Sequence, residues 1–251
     1  MKIEFHYTYL IVALGFIITG YFSNLLVFTS IILIHEIGHY LTASYYHQKV
    51  NKITIYPYGG LTEINTLIKT PIKHDLLVAI SGVAIQIIYY SLITILYQQG
   101  LIRPYIYQQF TIYHYSILIF NLLPIHPLDG SKILTLLLSK LFPYKITLKI
   151  NIITSIITII TLLITKYYKF NYTTILIISL IITSITKYYH QIDYLFNKFL
   201  LERYLYKITY HQNKKISHLN NMYKEKYHII KENNHYITEK QALKARFSRK
   251  Y

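Results

Sequence analysis

The sequence predicts an all-α polytopic membrane protein with about six transmembrane helices, a short β-hairpin after the second helix and a basic cytoplasmic tail. Hydrophobic residues make up 53% of the 251 residues and charged residues only 14%, whereas soluble domains carry about 25% charged residues. The chain has no cysteine, which excludes disulfide scaffolds, cysteine-based metal sites and cysteine nucleophiles. The net charge of +16 accompanies long apolar runs, so we attribute it to a membrane surface and not to direct binding of nucleic acid.

The transmembrane helices are predicted from the length of the apolar runs. A bilayer core of about 30 Å requires roughly 20 mostly apolar residues in helical conformation. The runs that meet or approach this length are residues 7–22, 24–45, 76–97, 110–124, 150–165 and 172–187. The first run is not followed by a small-residue cleavage site, so we interpret it as a helix and not as a signal peptide.

Basic residues in the connections predict the orientation. Lys and Arg are concentrated after the second, fourth and sixth runs, and the tail from Lys187 onward contains fourteen of them against five acids. Positively charged connections stay in the cytoplasm, so both termini are predicted to be cytoplasmic. We divide the chain into a membrane domain, residues 1–190, and a basic tail, residues 191–251. The tail is either a solvated cytoplasmic segment or a surface for lipid or a partner. Its apolar residues are sparse but are compatible with a small folded cap.

The second run contains three ionisable residues within five positions, in the order His35-Glu36-Ile37-Gly38-His39. On a helix, His35 and His39 project from one face about one turn apart, a spacing that lets two neutral imidazoles bind one Zn²⁺. Glu36 can then act as general base toward a water molecule. A hydrogen-bonded polar cluster is the alternative, but burying these groups in a membrane is costly. We therefore favour a metal site.

A third zinc ligand must come from another part of the chain, because a catalytic zinc normally has three protein ligands. The strongest candidate is Asp129, which follows an apolar run that Pro124 and Pro127 interrupt. Broken helices at membrane depth are tolerated where they line a cavity. Asp129 could instead be the N-cap of a helix over residues 131–142, and His126 is a second candidate ligand.

These motifs resemble the two signature motifs of the site-2 protease family, zinc metalloproteases that cut substrates within or beside the membrane. The matching residues are His35-Glu36-x-x-His39 and the run from Asn121 through Pro124 and Pro127 to Asp129-Gly130. The order, separation and six-span layout, over residues 1–200, are similar to the sporulation branch of the family. The resemblance implies that Asp129 is the third ligand of a single catalytic Zn²⁺, that Glu36 is the base and that Asn121 holds the substrate carbonyl. Without the family, Asn121 is more simply an interhelical hydrogen-bonding residue.

The resemblance also implies partners and a location. The substrate would be a membrane-associated pro-sigma factor, inhibitory membrane proteins would silence the protease, and the site of action would be the mother-cell membrane around the forespore. The sequence does not decide between a monomer and a homo-oligomer. The chain departs from the family at residues 81–86, which keep Gly82 but lack a proline and carry Gln86 where an asparagine is expected. The branch also tends to end in a nucleotide-binding CBS-type domain, for which residues 191–251 are short.

The connection after the second run is predicted to form a hairpin. Residues 50–64 place β-branched and aromatic side chains around the turn Pro57-Tyr58-Gly59-Gly60. Proteolysis requires an extended substrate, and a hairpin edge can receive one by β-augmentation. We therefore predict substrate binding at Tyr58, Gly59 and Gly60. The alternative is a connecting hairpin that rests on the membrane interface.

Two other functions fit these motifs less well. A metal transporter would show paired broken segments in two halves, and the sequence has one. An inactive relative that only binds clients would not need Glu36. The sequence therefore predicts a membrane metalloprotease. The resemblance implies that it activates a sporulation pro-sigma factor, and a related protease with another client is the nearest alternative.

Overall fold

The computed structural model describes residues 2–57, 59–65, 70–164, 172–206, 208, 210, 212–232 and 235–248. Tyr58 of the predicted hairpin turn and Thr165 at the end of the fifth predicted span lie outside these residues. The described backbone is mostly helical, as the sequence predicts.

Each apolar run contains a helix, and one further helix lies between the fourth and fifth runs. In chain order the helices are α1 (Tyr7–Ile18), α2 (Phe22–Tyr45), α3 (Ile72–Gln98), α4 (Pro104–Leu122), α5 (Asp129–Leu141), α6 (Tyr144–Ile164) and α7 (Tyr172–Leu205). By length and composition, α2, α3 and α6 can each cross a membrane, and α1 is apolar but shorter.

The first helix is shorter than the predicted run because its C-terminus has a Schellman arrangement. Gly20 adopts a φ of 78°, its N–H donates to the carbonyl of Ile17, and the N–H of Tyr21 donates to the carbonyl of Phe16. A new helix begins at Phe22. The interruption of α4 has a comparable cause, because Pro124 disfavours helical conformation at the residue before it, and α4 ends at Leu122.

The predicted hairpin is present as part of a three-stranded sheet. Its strands are β1 (Ile3–Phe5), β2 (Lys49–Tyr56) and β3 (Gly59–Asn65). The strands β2 and β3 pair in antiparallel register, with Ile53 opposite Thr62 and Tyr56 opposite Gly59. The sequence analysis did not anticipate β1, which pairs in parallel with β2. The order β1-β2-β3 leaves β3 at the edge of this sheet.

The chain divides into two compact units. The first consists of residues 1–66, 74–123 and 128–130, and the second of residues 67–73, 124–127 and 131–251. In the first unit, buried side chains of α2 pack with those of β2 and α4, among them Ile31, Ile32, Ile53, Ile55 and Phe110. This packing fixes α2 against the hairpin.

In the second unit, α7 continues to Leu205, well beyond the predicted end of the sixth span at residue 187. It is followed by β4 (Asn213–Ile216), a 3₁₀ turn (Leu219–Asn221), β5 (Tyr227–Glu232), β6 (His235–Thr238) and α8 (Glu239–Ser248). The strand β5 pairs in parallel with β4 and antiparallel with β6. These elements and the end of α7 from Phe196 form what we call the C-terminal cap, whose core contains Phe196, Phe199, Leu200, Met222 and Leu243. The tail is thus folded, which the sequence analysis left open.

Candidate metal centre

Three side chains of the first unit converge on one point. His35 and His39 lie one turn apart on the same face of α2, and their Nε2 atoms are 3.1 Å apart. Asp129, the first residue of α5, places its Oδ2 atom 2.8 Å from His35 Nε2 and 2.9 Å from His39 Nε2. All three side chains are at least 94% buried. The structure therefore brings together the three residues predicted as metal ligands.

The other ring nitrogen of each histidine has a partner on α3. His39 Nδ1 lies 2.7 Å from the carbonyl oxygen of Val78, and His35 Nδ1 lies 2.9 Å from Oε1 of Gln86. Because a carbonyl oxygen only accepts, His39 Nδ1 must donate. In the neutral imidazole, Nε2 then presents a lone pair toward the carboxylate of Asp129. Acceptors that face one another at these distances are stabilised by a proton or a metal ion between them, and two imidazoles with one carboxylate are an established ligand set for zinc.

At Gly82 the backbone of α3 comes so close to both imidazoles that only a residue without a side chain leaves room between them. A Cβ atom on Gly82 would lie 2.7 Å from His35 Nε2 and would overlap His39 Nε2. Any larger residue at this position of α3 would therefore fill the point toward which the ring nitrogens are directed. The residues present thus fit a metal ion both in donor chemistry and in available space.

Glu36 lies beside this group, in contact with the hairpin. The atoms of His35, Glu36 and His39 that could bind a metal all lie within 4.8 Å of one another. Glu36 is 3% exposed. Thr62 of β3 donates a hydrogen bond of 2.5 Å from its hydroxyl to Glu36 Oε2. The backbone of Gly60 passes so close that a Cβ atom there would overlap the Glu36 side chain. The strand β3 therefore lies directly on the predicted base.

Further residues were predicted at this site, namely Tyr58, Asn121 and His126. Asn121 is buried near the end of α4, and its Oδ1 atom is 3.7 Å from the point where a Cβ atom on Gly59 would lie. Tyr58 is outside the described residues. His126, the alternative ligand, stacks on Tyr188 with ring centroids 4.1 Å apart.

Sequence analysis assigned no role at this site to Thr62, Val78, Gly82 or Gln86, although it noted Gly82 and Gln86 in the segment that departs from the family pattern. For Gln86 a signal was available, because it is an amide in an apolar run, the same property that drew attention to Asn121. For Val78 there was none, since its backbone carbonyl makes the contact. The contact from Thr62 depends on the hairpin folding back onto α2, which a pattern along the chain does not show.

Comparison with known proteins places this chain in a family. Residues 23–104 match Peptidase family M50. The chain is 33% identical over 215 residues to Stage IV sporulation protein FB of Bacillus subtilis, covering 81% of this chain and 72% of that protein. It is 30% identical over 164 residues to a zinc metalloprotease of Methanocaldococcus jannaschii, covering 60% of this chain and 46% of that one.

Among solved structures, the fold is similar to that of the site-2 protease from Methanocaldococcus jannaschii. The TM-score is 0.59, and the match covers 74% of this chain and 91% of the solved chain. The sequence identity over this match is 24%, so the likeness supports the fold alone.

Proposed function

Because the chain belongs to peptidase family M50, the zinc metalloproteases of the site-2 type, we propose that this integral membrane protein hydrolyses a peptide bond in a membrane-associated protein substrate. One observation carries the proposal: His35 Nε2, His39 Nε2 and Asp129 Oδ2 converge within 3.1 Å of one another. In the proposal these side chains hold one zinc ion, with Glu36 as the catalytic base. The zinc would acidify a water molecule and polarise the scissile carbonyl.

The chain's own residues supply the rest of the chemistry. Glu36 takes a proton from the attacking water and returns it to the leaving amine. The Asn121 amide donates to the oxygen of the scissile carbonyl, where negative charge develops during attack. No thiol nucleophile is available, because the chain has no cysteine, and direct attack by water needs no covalent intermediate.

The hairpin provides a means of binding an extended substrate. The strand β3 is an edge strand, and it contacts Glu36 through Thr62. A substrate segment that pairs with this edge by β-augmentation would have its backbone exposed beside the base. We propose that Tyr58, Gly59 and Gly60 contact this segment.

The proposed client is a sporulation pro-sigma factor. Support comes from the similarity to Stage IV sporulation protein FB and from the implications of the family branch. By the same resemblance, inhibitory membrane proteins regulate the enzyme in the mother-cell membrane around the forespore. We further propose six spans with both termini in the cytoplasm, since the basic connections and tail fit the positive-inside rule. A different membrane-associated client is the second candidate.

The proposal is tested by pairing metal content with cleavage. Wild type, Glu36→Gln and the control Glu63→Gln are purified in detergent, assayed for zinc and incubated with a tagged pro-sigma factor in membranes. Glu63 lies next to Thr62 on β3, with its side chain 44% exposed, so its substitution makes the same chemical change outside the buried site.

We expect all three proteins to bind about one zinc, the ratio of a single catalytic site. Removing a general base typically lowers the rate about 10²–10⁴-fold, so Glu36→Gln should lose cleavage while Glu63→Gln retains it. Zinc binding without cleavage by the wild type would reject this client. A folded wild type without zinc would reject the metal site itself.

A further inference from the structure

The face of α3 that lies against the two histidines has a regular composition. Val78, Gly82 and Gln86 are four residues apart, so they lie along one face of the helix. The first contacts His39, the second leaves the space between the imidazoles, and the third contacts His35. We propose that Gln86 is a positioning residue that fixes His35 in its metal-binding tautomer. This inference rests on the proposed function, because it assigns a role at the same zinc site.

The orientation of the Gln86 amide follows from its second partner. Gln86 Nε2 donates to the backbone carbonyl oxygen of His114 at 3.0 Å, and a carbonyl oxygen can only accept. The amide NH₂ group must therefore face His114, which directs Oε1 toward His35 Nδ1 at 2.9 Å. Because Oε1 also only accepts, His35 Nδ1 carries the proton. In the neutral imidazole, its Nε2 atom then presents a lone pair toward Asp129.

Without Gln86, His35 could also adopt the tautomer that carries the proton on Nε2. With a proton on Nε2, His35 would donate to Asp129 Oδ2 across their 2.8 Å separation, and this hydrogen bond would compete directly with metal binding. Gln86 is 0% exposed, so solvent does not replace it as an acceptor for Nδ1. The second metal-binding histidine does not need such a side chain, since the backbone of Val78 holds His39.

The experiment measures zinc affinity and does not depend on activity. Full-length wild type, Gln86→Leu, Gln86→Glu and Gln109→Leu are purified in detergent, and the zinc dissociation constant is determined by competition with a chelator. Gln109 is the matched control, because it also hydrogen-bonds to α2, through Asn24 at 3.1 Å, at the opposite end of the helix from His39.

Loss of a hydrogen-bond partner of a metal-binding histidine typically weakens metal affinity about 10–100-fold. We expect this loss in Gln86→Leu. Gln86→Glu keeps an acceptor for His35 Nδ1 and should recover most of the affinity, whereas Gln109→Leu should bind zinc as tightly as wild type. Equal affinities in wild type and folded Gln86→Leu would overturn the inference and leave the proposed protease intact. A wild type without zinc would instead overturn the proposed function on which the inference rests.

A second measurement does not require any substitution at Gln86. In metal-free wild type labelled with ¹⁵N-histidine, the tautomer of His35 can be assigned by comparison with His35→Gln. The inference requires the proton on Nδ1, and a proton on Nε2 would contradict it.

Discussion

The described part of the chain contains two buried clusters of histidine and carboxylate groups, and the contacts described in them are arranged differently. In the C-terminal cap, Arg203 donates to Glu239 at 2.6 and 2.9 Å. His228 Nδ1 lies 3.0 Å from Glu239 Oε2, and His228 Nε2 accepts the N–H of Tyr223 at 3.0 Å. The Arg203 side chain has no exposed surface. This cluster therefore contains its own cation, and its hydrogen bonds pair donors with acceptors.

The described contacts of the cluster on α2 follow a different pattern. His35, His39 and Asp129 place two ring nitrogens and a carboxylate oxygen together, while the other ring nitrogens are directed at acceptors on α3. A buried histidine beside a carboxylate is thus not by itself a sign of a metal. The two clusters are distinguished by their described contacts, which pair Arg203 with Glu239 in the cap and direct acceptors toward one another on α2.

The largest expected effect is in the cap. Replacing Arg203 with methionine leaves Glu239 buried without its cation, which typically destabilises a protein by about 3–5 kcal/mol. Hydrogen exchange should show lost protection in β5 and α8, while zinc content stays at the wild-type level. Arg246→Met is the control, because Arg246 is exposed and bonds Asn197. Loss of zinc in Arg203→Met would remove the distinction between the two clusters.

Asp129→Ala should lower zinc affinity and leave the cap intact, which is the reverse of the pattern expected for Arg203→Met. Removing a direct ligand should weaken zinc binding by more than the roughly 10–100-fold that loss of a supporting hydrogen bond causes, and the cap should keep its exchange protection. Competition with a chelator measures the change. The control is Asp193→Ala, since Asp193 is an exposed partner of Lys145. Wild-type zinc affinity in Asp129→Ala would show that α2 obtains its third ligand elsewhere.

Thr62→Val tests the contact between the hairpin and the base. A hydrogen bond to a charged group contributes about 1.5–3 kcal/mol, so cleavage should fall by about tenfold or more with zinc affinity unchanged. Thr62→Ser keeps the hydroxyl and should cleave nearly as fast as wild type. If the valine variant matches the serine variant in rate, the hydroxyl does not position Glu36.

The smallest expected effect is a pH dependence confined to the cap. Burial lowers the pKa of His228 despite its hydrogen bond to Glu239. Burial would raise the pKa of Glu239, but the hydrogen bonds of His228 and Arg203 lower it overall. Both groups bind protons less readily when folded, so they stabilise the cap above their unfolded pKa values, and this stability is lost as the pH falls.

For His228 the loss begins below about pH 6.5, the ordinary histidine pKa. Hydrogen exchange of β5 in wild type should therefore be faster at pH 5 than at pH 7 after correction for the intrinsic rate. His228→Gln should show a smaller change. Equal corrected exchange at the two values would contradict the prediction.

Much of the fold could be predicted because it depends on patterns along the chain. Apolar length located the helices, and the turn residues located the hairpin. The parallel pairing of β1 with β2 could not be predicted, because it joins residues 3–5 to residues 53–55. The cap was left open, because its core residues Phe196, Met222 and Leu243 are widely separated and lie among many charges.

In the candidate site, His35, Glu36 and His39 could be predicted from their helical spacing, and Asp129 from its broken segment. The partners on α3 could not be assigned in the same way. Gln86 was noted only as a departure from the family pattern, and its contact with His35 depends on how α3 packs against α2. Val78 contributes a backbone carbonyl, which any residue would supply.

The most direct test of the central claim is X-ray absorption at the zinc edge of the full-length wild type, purified in detergent without added metal. The account predicts about one zinc per chain, as in a single catalytic site, with two imidazole ligands and the rest oxygen. It also predicts that His35→Gln and His39→Gln each lose imidazole scattering. A folded wild type that retains no zinc, or zinc whose imidazole ligands survive both substitutions, would contradict it.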